Sequence, residues 1–114
     1  MRWKLTVRSG PRVQRSSFDE LDNALEALET RARELAEAAP RGSVNAKVMR
    51  FEPVEQVVAR LELAGPERFV PSHRVGIDVR GDGSVEAYRG RVRRQVIEAG
   101  AGETAYDALR QSVS

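Results

Sequence analysis

The stretch that decides the fold runs from residue 17 to residue 39 and reads SFDELDNALEALETRARELAEAA. Its apolar residues recur in alternating steps of three and four, which places them on one face of an α-helix: Phe18, Leu21, Leu25, Leu28, Ala32, Leu35 and Ala39. Ser17 and Glu20 have the spacing of a capping box, and Pro40 and Gly42 follow the last apolar position. The pattern predicts one long amphipathic helix from Ser17 to Ala39.

The composition of this face indicates what it packs against. Two of its seven positions are alanine, so the helix lacks the unbroken row of large side chains that a coiled-coil seam uses. We therefore expect the face to pack on a sheet of the same chain. Self-association would then use a sheet edge or the outer face of that sheet.

Strands are predicted on both sides of the helix wherever apolar and polar residues alternate. Before the helix, alternation starts at Trp3, a turn is expected at Ser9-Gly10-Pro11, and Val13 to Arg15 form a short edge strand protected by arginines. After the helix, alternation predicts a strand over Ser43–Phe51. A short helix is expected over Thr104–Val113, and its apolar side consists of Ala105, Ala108, Leu109 and Val113.

Residues 53–64 fit two structures. A strand is favoured by the alternation of apolar residues with polar neighbours from Val57 to Leu63 and by the β-branched content of the segment. A helix also fits, because Pro53 would occupy its first position and Gly65-Pro66 would end it. The neighbouring strands favour the strand, and the helix stays the alternative.

A hairpin is expected at Gly81-Asp82-Gly83. A two-residue loop would place Val79 opposite Glu86, whereas a three-residue loop pairs Val79 with Val85 and keeps the apolar residues on one face. The pattern therefore predicts a three-residue loop with Gly83 in the left-handed conformation.

Beyond this hairpin the apolar, inward-facing residues are at odd positions before Gly90 (Val85, Ala87) and at even positions after it (Val92, Val96). One inserted residue would keep them all on the same face. A β-bulge is therefore predicted at Arg89-Gly90, within a strand that continues towards Val96. The predicted element order is β-β-α-β-β-β-β-α, which is an α+β fold with a long amphipathic helix packed on a mostly antiparallel sheet. At 114 residues the chain is expected to form a single domain, residues 1–114.

Composition argues against several classes of function. The chain has no cysteine, which rules out disulfides and thiolate chemistry, and it has no apolar run long enough for a signal peptide or a membrane span. We expect a cytoplasmic protein with no membrane partner. The net charge is only +2, but the charges are segregated: residues 1–16 carry five basic residues and no acid, whereas the predicted helix carries seven acids against two arginines.

The sequence contains no motif for a metal, a cofactor or covalent catalysis. The segment from Asp78 to Arg89 begins like a calcium loop, but Arg80 and Arg89 occupy positions that need oxygen ligands. His73 is the only histidine, and no P-loop, Gly-x-Gly-x-x-Gly or Gly-x-Ser-x-Gly is present. The sequence predicts a protein that is not an enzyme and that uses no metal and no cofactor.

Two sets of charged residues are candidate sites. In the predicted hairpin Asp78 lies opposite Glu86 on the outward face, and Arg60 of the neighbouring strand projects in the same sense. These three residues are expected to form a charge network with nearby Arg74 and Arg80, with acid–base or metal chemistry as the alternative. The second set is an arginine run that would contact phosphates, with a solvated edge paired with acids of the helix as the alternative: Arg89, Arg91, Arg93 and Arg94. After the predicted bulge, Arg91 and Arg93 share the outward face.

These observations predict a small non-enzymatic interaction or structural module that self-associates, with another protein as the other possible partner. The alternative is a nucleic-acid-binding protein that uses the arginine-rich sheet face around Arg91 and Arg93. Salt-dependent binding to generic DNA or RNA would distinguish the two hypotheses.

Overall fold

The computed structural model describes residues 3–38, 57–65, 74–90 and 95–113. Within them lie six strands and two helices: β1 (Trp3–Ser9), β2 (Arg12–Phe18), α1 (Leu21–Glu37), β3 (Val57–Ala64), β4 (Arg74–Arg80), β5 (Val85–Arg89), β6 (Gln95–Ile97) and α2 (Ala105–Val113). The strands form one antiparallel sheet in the order β2-β1-β3-β4-β5-β6. The predicted α+β class and element order are confirmed. The strand predicted over Ser43–Phe51 lies outside the described residues.

Both helices pack on the same side of the sheet, which we call the inner face; the opposite side is the outer face. α1 packs mainly over β1, β3 and β4, and α2 packs over β4, β5 and β6. Alternate strand residues point into this layer, as the pleat requires. The buried strand residues of the inner face are Leu5, Val7, Ala59, Leu61, Leu63, Val75, Ile77, Val79 and Ala87.

The apolar face of α1 is buried as its spacing predicts. Leu25, Leu28 and Ala32 lie in the core, joined by Ala24 on the same side, whereas Leu21 and Leu35 are half-buried near the two ends. Burying a leucine side chain contributes about 1.5–3 kcal/mol. This face therefore holds the helix layer on the sheet.

The predicted start of α1 is wrong. β2 continues to Phe18, so Ser17 pairs with Lys4 of β1, and the helix begins at Leu21. Glu20 is the N-cap and makes no side-chain capping hydrogen bond. The capping box does not form because pairing with β1 holds Ser17 in an extended conformation. Phe18 then packs against the core from the end of the strand.

The strand interpretation of β3 is confirmed for Val57–Ala64, and the helical alternative is wrong there. The pairing of β3 with β4 is regular except for an irregularity between Val57 and Ala59. The segment is central in the sheet, with β1 on one side and β4 on the other. Three core residues, Ala59, Leu61 and Leu63, therefore favour the period of a strand over that of a helix.

The β4–β5 hairpin has the predicted register. Val79 lies opposite Val85, and the pair before it brings Ile77 opposite Ala87. The Arg80 N–H donates to the carbonyl of Ser84 at 2.9 Å, which leaves a loop of three residues, and Gly83 has φ +87°. This is the left-handed position that the apolar parity requires.

The predicted bulge at Arg89-Gly90 is wrong. The chain turns back after β5, and β6 pairs antiparallel with it, so that Val96 lies opposite Tyr88. Gly90 has φ +108°, and its N–H donates to the carbonyl of Arg74 at 2.9 Å. Val96 therefore faces outward and is 53% exposed. The alternation of inward-facing and outward-facing residues cannot be counted across a hairpin, because the hairpin starts a new strand.

The C-terminal helix α2 is confirmed, with one addition to its predicted face. Thr104 and Asp107 form a reciprocal capping box, each side chain accepting the other's backbone N–H at 3.1 Å. Tyr106 is buried beside Leu109, and the Arg33 guanidinium lies 4.5 Å from the centroid of the Tyr106 ring. α2 is thereby joined to α1 as well as to the sheet.

Candidate interaction surfaces

Three arginine–carboxylate ion pairs and one tyrosine hydrogen bond link β3, β4 and β5 across the outer face. Arg60 donates to both carboxylate oxygens of Asp78, at 2.7 and 3.2 Å. Arg80 donates to Glu86 at 2.7 Å, and Arg74 of β4 donates to Glu62 of β3 at 3.0 Å. We call this group the outer-face network; its members are Arg60, Glu62, Arg74, Asp78, Arg80, Glu86 and Tyr88.

The predicted carboxylate pair lies inside this network. Asp78 and Glu86 are directly opposite each other, as the three-residue loop requires. Each carboxylate has its own arginine, and Asp78 is only 8% exposed. The hydrogen bond to Asp78 raises the pKa of the Arg60 guanidinium above its ordinary value. This arrangement neutralises the two like charges and connects three strands.

Tyr88 completes the network from β5. Its ring crosses Gly76 of β4, and its hydroxyl donates to Glu62 at 3.1 Å. The Arg60 guanidinium lies 5.9 Å from the ring centroid. Tyr88 is buried although it lies on the sheet face opposite the helices. Sequence analysis missed this residue; the glycine at position 76, in the interior of β4, was the available signal.

The arginine run is described only at its first member. Arg89 is exposed, and its Nε donates to the side-chain oxygen of Gln95 at 3.3 Å. Arg91, Arg93 and Arg94 lie outside the described residues. The phosphate-binding role assigned to these four arginines stays a prediction.

A second group of cations lies on the outer face of the β1–β2 hairpin. The register places Lys4, Arg8 and Arg15 on the same face of these two strands, with Arg15 opposite Thr6 between the other two. None of the three makes an ion pair with a described residue, and Arg8 and Arg15 are exposed. We call Lys4, Arg8 and Arg15 the basic surface. Its signal in the sequence was the absence of any acid before residue 19.

The third feature is the open side of β2. β1 is the only described neighbour of this strand, and six of its seven residues are exposed. α1 leaves a groove of about 510 Å³ beside it. The apolar part of the groove comes from Leu5, Val7, Phe18 and Ala27, and the polar part includes Gln14, Ser16, Asn23, Glu26 and Thr30.

The described ranges contain no group of three or more histidine, cysteine, aspartate or glutamate side chains placed to hold a metal ion. Neither α1 nor α2 has the length and apolar character needed to cross a membrane. Comparison of the chain with protein-family models, with curated proteins and with solved structures finds no match.

Proposed function

We propose that this protein is a small self-associating interaction module in which β2 of one copy pairs with β2 of a second copy. The observation that carries the proposal is the exposure of β2, which forms one edge of the described sheet and is exposed even on the inner face. An edge strand of seven residues with an uncovered inner face is a template for another strand.

Hairpin geometry determines which backbone groups of β2 point away from β1. A two-residue turn, Gly10-Pro11, joins Ser9 to its partner Arg12, and the pair that closes such a turn is hydrogen-bonded. Gly10 has φ +58°, which suits the first position of a type II′ turn. Hydrogen-bonded and non-hydrogen-bonded residue pairs alternate along β1 and β2. The backbone N–H and C=O groups that point to the open edge of β2 therefore belong to Val13, Arg15 and Ser17.

Charge selects the register of the pairing. We consider a two-fold symmetric dimer in which the helices of both copies lie on the same side of the joined sheet. An antiparallel β2–β2 pair whose two-fold axis passes Arg15 sets the two Arg15 side chains opposite each other, which is unfavourable. An axis at Ser16 instead pairs Arg15 with Ser17 of the other copy. It also brings Arg12 of each copy towards Asp19-Glu20 of the other. We therefore take Ser16 as the centre of the interface.

The groove beside α1 receives the inner-face side chains of the incoming strand. Gln14 and Phe18 of the second copy would lie next to the groove, where Ala27 offers an apolar contact and Asn23 and Thr30 offer hydrogen-bonding groups. A single seven-residue edge is much smaller than a standard interface of roughly 20–30 residues a side. The association is therefore expected to be weak, so that the dimer forms only at high protein concentration.

Sedimentation equilibrium of the wild type and of two variants tests the proposal. Ser17→Pro removes an edge N–H that β1 does not use, so the fold is retained and the dimer is lost. Ser17→Ala keeps the N–H and is the matched control, so it dimerises like the wild type. A wild type that stays monomeric up to ~1 mM, a concentration that detects even weak association, overturns the proposal. So does a folded Ser17→Pro variant that dimerises with unchanged affinity.

A further inference from the structure

We propose that the basic surface, Lys4, Arg8 and Arg15, binds the sugar–phosphate backbone of duplex nucleic acid. The inference does not depend on the pairing of β2. It moves the nucleic-acid contact from the arginine run that begins at Arg89 to the outer face of the β1–β2 hairpin. Three features of that face support it: unpaired charge, spacing and the absence of competing contacts.

The basic surface forms no ion pair with a described residue, unlike the arginines of the adjacent strands. Arg60, Arg74 and Arg80 each have a carboxylate partner within the outer-face network. The basic surface has no such partner among the described residues, and residues 1–16 contain no acid. Free guanidinium and ammonium groups are the ones that release counterions when they meet phosphates.

The spacing of the three cations suits a phosphate chain. Lys4 and Arg8 lie four residues apart on β1, which is about 13 Å, and Arg15 projects between them from β2. One strand of duplex DNA presents a phosphate about every 3.4 Å along its axis, so three cations spread over this distance can each meet a separate phosphate. Thr6 lies on the same face and supplies a hydroxyl group of the kind that contacts phosphate and sugar oxygens.

The surroundings favour a duplex backbone over a protein or a single strand. The large aromatic residues of this hairpin, Trp3 and Phe18, belong to the inner face, so no ring is available there for base stacking. Val13 is the only apolar side chain on the outer face of β2, which leaves no apolar centre for a protein hot spot.

The acidic helix of a second copy is the main competing occupant, and it is a poorer match. Glu29 of α1 is already bonded by Arg33 at 2.8 Å and by Arg110 at 3.3 Å. Glu34 lies 3.5 Å from Arg31. These pairs reduce the negative charge that α1 can offer, whereas every phosphate of a duplex remains charged.

Fluorescence anisotropy with a random duplex of about 20 base pairs, measured from ~50 mM salt upwards, tests the assignment. For the three contacts of one copy, the slope of log K against log [salt] is expected to be about −2.7. Arg8→Gln and Arg15→Gln each weaken binding about tenfold at ~50 mM salt and reduce the slope by about 0.9. Arg31→Gln on α1 is the matched control, and it leaves both quantities unchanged.

Three results would overturn the proposal: no binding at ~50 mM salt, an Arg8→Gln/Arg15→Gln variant that binds like the wild type, or tighter binding to polyglutamate than to a duplex of equal charge. If Arg89→Gln alone abolishes binding to the duplex, the nucleic-acid contact lies at the arginine run instead. The Ser17→Pro variant separates this proposal from self-association. Its monomer keeps the three contacts and a slope of about −2.7, whereas a wild-type dimer that joins two basic surfaces on one duplex approaches twice that value.

Discussion

The ring of Tyr88 lies directly over the backbone of Gly76, its cross-strand partner on β4. A Cβ atom at position 76 would overlap the Tyr88 hydroxyl and would lie 2.6 Å from the carbonyl oxygen of Leu61. The close approach lets the hydroxyl reach Glu62 and places the ring beside Arg60. Glycine at this position therefore allows Tyr88 to join the outer-face network.

Gly76→Ala is expected to destabilise the protein by about 1–3 kcal/mol, because the added methyl group must displace the Tyr88 ring and press on the β3 backbone. Urea denaturation measures the change. The Gly76→Ala change in a Tyr88→Ala background serves as the comparison, because the ring that the added methyl group would displace is absent there. A Gly76→Ala variant as stable as the wild type would show that Tyr88 does not occupy this position.

Leu25→Asp tests the packing of α1. Leu25 is buried, so the substitution places a carboxylate in the core without a partner, and we expect a loss of several kcal/mol. Asn23→Asp lies on the exposed side of the same helix and changes charge in the same direction, so its melting temperature should stay near that of the wild type. An unchanged melting temperature for Leu25→Asp would contradict the buried position of this face.

Tyr106 is expected to make stability fall at high pH. Burial raises the pKa of the Tyr106 hydroxyl above its ordinary value of about 10, against a smaller opposite effect of Arg33. Because the folded-state pKa is the higher one, this stabilisation is complete below pH ~10 and disappears as pH rises through the folded-state pKa.

The comparison of wild type with Tyr106→Phe isolates this effect. Above pH ~10 the free energy of unfolding should fall more steeply for the wild type than for Tyr106→Phe, while below that pH their difference should be constant. Parallel curves across the alkaline range would show that the Tyr106 hydroxyl ionises as easily in the folded protein as in the unfolded chain.

The sequence predicted best where one face had to be apolar. Parity placed Val79 opposite Val85 and determined the three-residue loop, and the spacing of Leu25 and Leu28 determined the buried side of α1. These patterns report burial, which dominates the free energy of folding and depends on the period of each element.

The sequence predicted worst at boundaries between elements. Ser17 and Glu20 have the letters of a capping box, yet pairing with β1 keeps Ser17 in the strand. Val96 was assigned to a bulged continuation of β5, whereas a hairpin places it on a separate strand. Such outcomes depend on tertiary pairing, which local spacing does not contain. The same is true of Tyr88, whose burial needs Gly76 from another strand.

The register of the β2–β2 pair is accessible to cysteine chemistry because the chain has no cysteine of its own. In the proposed pairing, Ser16 lies opposite Ser16 of the other copy as a non-hydrogen-bonded pair. The Cα separation of such a pair is about 4.5 Å, which a disulfide can bridge. Arg15→Cys is the matched control on the same strand, since its neighbour across the axis would be Ser17.

Oxidative cross-linking of single-cysteine variants tests most directly whether β2 pairs with itself. We expect Ser16→Cys to form a disulfide-linked dimer rapidly and nearly completely, and Gln14→Cys and Arg15→Cys to do so poorly. Adding Ser17→Pro should abolish the difference. Equal, slow cross-linking of all three variants would contradict the claim. Preferred cross-linking through Arg15→Cys would contradict the register.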